Sequence, residues 1–516
     1  MARAGNGRRP EASGPGVLAR VISAVLNTSP AVAVGRGLGL RSYQMAGASN
    51  AWANWTTVNR DPNAVLRDGL RVMQARSRDL ARNEDYARGF LKRVRAGVLG
   101  RAGIRTRFVG LDDQVLAVLA AEFAAWSKRG LAGGGVTLDG LLSWRGLQRA
   151  IVVGLVRDGE FLARKVFGRE AGPWGFAVQP IDPVLLDAEY TRRLEDGNRV
   201  IMGVEIDGRS RPVAYYLLVA HPDAPVAPAS VRRRVRVPAS GIVHIFDQEE
   251  PGQVRGVPWF NPTGKRLRQF GEYEQAELVA ARTAASKMGF FTGGVPEEWG
   301  GEEADLEGEG GPAAGARNRD GDLVFSVQPG EFGILPDGAQ FTPFDPQHPT
   351  SQYPAFTKTM LRGAAAGLGV SYAEFAGDLE GVNYSSIRQG VLGDRDQWAD
   401  FQALVIEGLD DLVGAWLEAA SLAGRLPLKT ADLARVSRVF MPRGWAWVDP
   451  LKEIAAKEKE IELGLTSRQR VAEERGADFA EIAAELAEEE GGPRRYQPAS
   501  VDLVAVAAAT EEDKGQ

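Results

Sequence analysis

Two hydrophobic periods alternate along the chain. Apolar residues three and four apart mark helices, and strict alternation marks half-buried strands. Helical spacing begins at Asp61-Pro62, an N-cap residue followed by proline at the first helical position, with Leu66, Leu70 and Met73 on one face. A second helix carries Tyr86, Phe90 and Val94 four apart, and Gly97 and Gly100 are expected to end it. From Trp144 a helical turn leads into a strand-rich stretch. Segments 161–167 and 174–179 read as strands about a Gly/Pro turn. Asp196-Gly197-Asn198 and Asp207-Gly208 are hairpin signals, and strands at 200–206, 212–219 and 231–246 complete the run.

The helical period returns after Asn261-Pro262-Thr263. Leu267, Phe270, Tyr273, Ala276, Ala280, Ala284 and Met288 predict a helix over about 263–290. Small residues dominate its second half, which suits close approach of another helix. Residues 292–322 are rich in Gly, Glu and Asp without any period, and read as a flexible acidic loop. Two strands around 324–327 and 333–335 precede a Pro-rich turn at 343–349 and a helix over 351–366. Trp398, Phe401, Val405, Leu409, Leu412 and Trp416 mark a strongly amphipathic helix. Three capped helices follow. Asp449-Pro450 starts one, and Thr466 with Gln469 and Asp478 with Glu481 form capping-box patterns.

A chain of 516 residues exceeds one compact core, so two to four structural units are expected. The absence of cysteine excludes disulfides and thiolate metal sites. His221, His244 and His348 are scattered, which argues against a His-rich metal centre. No apolar run is long enough to span a bilayer, and the basic N-terminus lacks a signal-peptide core, so a cytoplasmic product is expected. The net charge of −5 is unevenly spread. Residues 60–107 hold 13 Lys/Arg against 5 Asp/Glu, while 449–516 hold 9 against 17. Solvated helix faces account for such charge; so would ends that face different partners, or neighbouring copies of the chain.

Catalytic patterns are missing. Gly264-Lys265 lacks the spacing of a phosphate loop, and Arg266 stands where Ser or Thr is needed. The string Gly35-Arg36-Gly37-Leu38-Gly39 has no strong strand before it. No G-x-S-x-G or H-E-x-x-H occurs. The carboxylates of Glu302, Glu303, Asp305, Glu307 and Glu309 lack calcium-loop spacing. His244 lies in an apolar strand, and reads as a core or edge histidine in preference to a general base. Arg232-Arg233-Arg234 is either a phosphate patch or a strand edge kept soluble by charge. No catalytic residue, cofactor or metal site is expected.

The most informative stretch is 367–395, GLGVSYAEFAGDLEGVNYSSIRQGVLGDR. It centres on Asp378, then Asn383, Tyr384, Ser385 and Ser386, then Arg388. Asn and Ser side chains bond nearby backbone groups and fix turns. The segment is therefore expected to set the turn between a helix ending near Ala366 and one starting near Ser386, with Arg388 anchoring it by charge. Other strings occur in a fixed order around it: Asn59-Arg60-Asp61, Leu80-Ala81-Arg82-Asn83, Tyr86-Ala87-Arg88, Arg255-Gly256-Val257-Pro258-Trp259, Val327-Gln328-Pro329-Gly330 and Leu335-Pro336-Asp337-Gly338. On these, the chain from about Tyr43 to Phe479 resembles the portal proteins of tailed bacteriophages, the lambda-like branch in particular.

The resemblance implies an α+β, mainly helical portal-type fold with wing, stem, β-rich clip and C-terminal helical crown. Residues 1–40, rich in Gly, Ala and Arg, are expected from composition to be a disordered N-terminal arm; by order, 41–190 would be the wing or core and 191–250 the clip-like insert. Residues 251–291 would hold the stem helix, 292–322 the acidic loop and 323–448 the tunnel loop and wing helices. C-terminal helices over 449–490 and a tail over 491–516 would follow. Implied too is a homo-dodecameric ring at one capsid vertex, made in the host cytoplasm and kept in the virion, without membrane contact. Its implied partners are terminase, head-completion or adaptor proteins, capsid and scaffold, and double-stranded DNA passing without sequence specificity. Gln347, His348, Thr350, Ser351 and Gln352 would face that DNA. Their polar, nearly uncharged character fits a channel that can use neither base readout nor strong phosphate binding. A head–tail adaptor or another capsid-associated structural protein would share the non-catalytic character. A nucleic-acid-processing enzyme would need clustered carboxylates, whereas the acidic residues lie mainly in the 292–322 loop and the tail.

Overall fold

Asp61 opens the first helix. Its carboxylate accepts from the backbone N–H groups of Asn63 (2.9 Å) and Ala64 (3.2 Å), donors that a helix start leaves unpaired. Helix α1 (Pro62–Asn83) is followed after one residue, Glu84, by α2 (Asp85–Leu99). The computed structural model describes residues 56, 58–130, 134–225, 233–285, 289–292, 316–317, 323–324, 340–343, 352–380, 383–445 and 450–491. Gly97 does not end α2, as its type suggests; it lies buried inside it. A Cβ there would sit 2.9 Å from the Trp398 ring, so the glycine serves packing. Gly100, at φ +57°, makes the actual stop.

Next come β1 (Arg105–Val109), α3 (Asp113–Trp126) and α4 (Trp144–Asp158). In place of the single turn expected at Trp144, α4 is a full helix of 15 residues. It is buried on most of its circumference, at Leu147, Gln148, Ile151, Val152, Leu155 and Val156, so the contrast that reveals an amphipathic helix is weak. Strands β2 (Glu160–Phe167), β3 (Phe176–Ile181) and β9 (Ile242–Phe246) form an antiparallel sheet in the order β3-β2-β9.

Between β3 and β9 a five-stranded meander is inserted: β4 (Arg192–Arg193), β5 (Arg199–Ile201), β6 (Val204–Ile206), β7 (Pro212–Leu218) and β8 (Arg234–Pro238). Two strand expectations need correction. The stretch 200–206 folds back at Met202-Gly203, both at positive φ (+47° and +85°), which is the signature of a type I′ hairpin. The stretch 231–246 divides at a short 3₁₀ turn (Ala239–Gly241), and its halves join different sheets. At the Asp207 hairpin the residue with positive φ is Ser210 (+63°), while Asp207 accepts from the Arg209 and Arg211 N–H groups.

The long helix α5 (Gly264–Ala285) is shorter than its sequence period suggests. Residues 289–292 instead form β10 (Gly289–Thr292), paired with β13 (Gln340–Pro343). A second small ribbon pairs β11 (Ala316–Arg317) with β12 (Leu323–Val324). All but the first residue of the strand expected around 324–327, the strand expected at 333–335 and most of the 343–349 turn lie outside the described residues. Helix α6 (Tyr353–Gly367), a short α7 (Tyr372–Ala376) and the 39-residue α8 (Tyr384–Leu422) follow. Then come α9 (Thr430–Leu433), β14 (Ser437–Met441), α10 (Pro450–Glu462), α11 (Arg468–Glu474) and α12 (Phe479–Gly491). Ser467, not Thr466, caps α11.

The main core gathers α2, α4, α8 and the β3-β2-β9 sheet. Its densest part is aromatic: Phe123 meets Trp416 at 5.1 Å and Phe108 at 5.4 Å, beside Trp126 and Trp144. A second core lies under the insert, where Leu66 and Leu70 of α1 pack with Leu186, Met202, Val204, Ile206, Tyr215 and Val237. Strands β1 and β14 pair antiparallel and bring the C-terminal third back to the first helices. Among the described residues, no helix is long and apolar enough to cross a membrane.

Candidate functional site

The 367–395 segment is more elaborate than one turn, because α7 stands between α6 and α8. Ser371 starts α7 by accepting from the Glu374 N–H. It also bonds the buried Asp394 of α8 twice, through its backbone N–H (2.7 Å) and its hydroxyl (2.6 Å). The approach is close enough that a Cβ at Gly390 would lie 3.3 Å from Ser371. Asp378 accepts from the Tyr372 hydroxyl (2.8 Å) and the Glu380 N–H (2.9 Å). Burial, reinforced by Asp378, pushes the Tyr372 hydroxyl up to about 12. Lys358 of α6 reaches Glu380 at 2.6 Å. Asn383 is the N-cap of α8, accepting from the Ser386 N–H at 2.8 Å, and Tyr384 and Ser385 form the first helical positions. Arg388 lies 3.9 Å from Glu453 of α10. An open groove of about 580 Å³ between these elements is lined by Gly369, Val370, Ser371, Ser386, Gly390 and Gly393.

Of the residues expected to face DNA, Gln352 is described. It is exposed at the start of α6, where its carbonyl accepts from the Phe356 N–H. Gln347, His348, Thr350 and Ser351 lie outside the described residues. The segment they belong to runs from β13 to α6. Helix α6 in turn packs on α5 through Tyr273 against Phe356 (4.9 Å) and Tyr353 (6.1 Å).

Sequence reasoning missed the polar centre of the molecule. Arg255 is fully buried and spends every donor. Its Nε and Nη2 bind Glu160 at 2.8 and 2.5 Å, and the remaining N–H groups reach the carbonyls of Pro183, Leu186 and Met202. Glu160, also fully buried, accepts further from Gln74 of α1 (3.1 Å) and from His244 Nε2 (3.0 Å). Burial alone would raise the Glu160 carboxyl, but Arg255 first and His244 second hold it at about 2. Burial pushes His244 below its ordinary 6.5 despite Glu160, so the neutral ring donates its Nε2–H. The histidine is a satisfied core residue. Around this centre Arg78 of α1 bridges Asp158 (2.7 Å) and Asp182 (2.6 Å), and Asn63 bonds Gly252 and Val254. The network ties together α1, the start of β2, the 183–186 turn and the Met202 hairpin. It holds the five-stranded insert on the body and leaves no free group for acid–base work.

Residues 48–402 match the family described as phage portal protein, lambda family. The chain belongs to this family. The probable portal protein of Halomonas phage phiHAP-1 is 32% identical over 463 residues, covering 87% of this chain and 86% of that protein. Portal protein B of Escherichia phage lambda is 22% identical over 485 residues, covering 84% and 86%. Among solved structures, a chain in the neck of an empty gene transfer agent particle covers 86% of this chain and 98% of its own, at 14% identity and a TM-score of 0.39. As a portal protein the chain is a structural part of the phage particle and not an enzyme. In this portal chain part of the opposite charge of the two ends meets internally. Arg105 pairs with Glu481 (3.0 Å), and Arg107 with Asp478 (2.8 Å).

Proposed function

We propose that twelve copies of this portal chain form a ring around double-stranded DNA at one capsid vertex. The observation that carries the ring is on α5. Its first half is buried at Leu267 and Phe270, while Leu278 and Val279 are 58% and 59% exposed. Exposed Ala276 beside them leaves room for a close neighbour. Such apolar surface on an otherwise polar helix calls for cover, and a second copy supplies it. In this reading α5 is the stem helix and the β4–β8 insert is the clip that docks terminase during packaging and head-completion proteins afterwards. The C-terminal helices form the crown. The 347–352 loop, carrying Gln347, His348, Thr350, Ser351 and Gln352, faces the DNA. The ring assembles in the host cytoplasm with capsid and scaffold protein.

The test is native mass spectrometry with electron microscopy of the purified chain. A twelve-membered ring with an axial hole is expected, and Leu278→Glu with Val279→Glu should yield folded monomer. A wild-type monomer at micromolar concentration and moderate salt would overturn the reading.

A further inference from the structure

One face of α2 has no use in the interior. Arg88, Lys92 and Arg95 stand one turn apart and are all exposed. Arg88 reaches the Arg82 carbonyl at 3.4 Å, but among the described residues none of the three forms an ion pair, although the chain has more acidic than basic residues, 67 against 62. Elsewhere cations do find carboxylates, as Arg78, Arg107, Arg236 and Arg438 show. Asp85, one turn upstream, is turned to its own helix start: it accepts from the Tyr86 N–H, and it adds to burial, the larger cause, in raising the Glu84 and Glu274 carboxyls.

The C-terminal end of α2 adds further positive charge. The Arg443 guanidinium bonds the Ala96 carbonyl. Its charged form is disfavoured first by burial and then by neighbouring Arg395, with Glu374 the carboxylate that opposes this. The apolar residues between the three cations point inward: Phe90 and Val94 are buried, and Leu91 is half-buried. A protein partner would find no apolar anchor here. A polyanion needs none.

We propose that the Arg88–Lys92–Arg95 face of α2 binds the phosphate backbone of double-stranded DNA without sequence preference, outside the channel, where the DNA need not slide, and so apart from the weak contact of the 347–352 loop. The proposal rests on the reading of the chain as a ring through which DNA passes. The spacing suits it. Seven helical residues span about 10 Å, and one strand of B-DNA carries a charge about every 3.4 Å of axis, so three cations face about three phosphates.

The test compares wild-type portal with R88Q/K92Q/R95Q, binding two unrelated 30-base-pair duplexes (~30, several phosphate contacts long) across a range of salt by fluorescence anisotropy. The control is R192Q/R193Q/R199Q, which removes the same charge from exposed strand positions of the insert. Losing three contacts should lower the salt slope by about 2.7 per bound copy and weaken binding on the order of 10²–10³-fold at 0.1 M salt. The control should keep wild-type affinity and slope. Unchanged binding by the α2 variant would overturn the proposal and leave an acidic protein as the partner; equal loss in the control, or preference for one duplex, would overturn it too. Native mass spectra of the same samples report ring formation separately. An intact ring with unaffected DNA binding sinks this proposal alone, lost binding by a variant that still forms the ring supports it, and a wild-type chain that forms no ring sinks the ring reading and the proposal with it.

Discussion

Arg255→Met tests the joint beneath the insert. Methionine keeps much of the stem volume and removes the guanidinium. Glu160 then keeps Gln74, His244 and the Gly256 N–H but loses its counter-charge while staying fully buried. The carbonyls of Leu186 and Met202 lose the Arg255 donor, while that of Pro183 keeps the Leu186 N–H. Removing one partner of a buried ion pair costs about 3–5 kcal/mol. The aromatic core around Trp126 and Trp416 does not touch this network, so the cost should fall on attachment of the insert. At about 1.4 kcal/mol per decade, local opening becomes on the order of 10²–10³ times more frequent. Hydrogen exchange read by mass spectrometry on peptides from β5 to β7 and from 183–187 measures that opening, with α8 peptides as internal reference. Protection should fall in the insert and hold in α8. Glu160→Leu with Arg255→Met should recover most of the loss, because no lone charge then remains buried. Unchanged exchange in the single variant, or a double variant worse than the single, would refute the reasoning.

Acid should loosen the same joint. Glu160 is held at about 2 against an ordinary 4.5, so its contribution is present above pH 4.5 and is lost as the pH falls through 4.5 toward 2. That difference, 4.5 minus 2, corresponds to about 3 kcal/mol. His244, pushed below 6.5 while buried, acts in the same direction, its contribution fading as the pH drops under 6.5. Insert protection that stays flat between pH 7 and pH 4 would contradict this. Asn383→Ala should cost about 1 kcal/mol through the lost α8 cap, and Arg388→Ala under about 1, since its pair with Glu453 is half-exposed and 3.9 Å long. Denaturation midpoints rank the two, and a larger loss for Arg388 would reverse the assignment. Gln347→Lys with Gln352→Lys should slow DNA packaging, more so at low salt, through added phosphate attraction. Wild-type packaging rates at every salt would place that loop away from DNA.

Helix starts were legible in the sequence because capping is local. Asp61 accepts from residues two and three ahead, and Asp478 accepts from Ala480, two ahead, at the start of α12. The amphipathic half of α8 and the first half of α5 were legible because each has one wet and one dry face. Family membership was legible because it rests on short strings in a shared order. Features without such contrast stayed hidden. Helix α4 is dry nearly all round, and the Met202 turn uses a residue type that gives no warning of positive φ. Gly97 read as a stop because its partner, Trp398, lies three hundred residues away in α8 (about 300, too far for any local rule). The same distance problem concealed the polar centre: Glu160 is 86 residues from Gln74 and 95 from Arg255. Local chemistry and hydrophobic period thus determined the elements and their order. The tertiary fold alone decided which charged groups would be buried together, because hydrogen bonding and desolvation depend on neighbours in space and not along the chain.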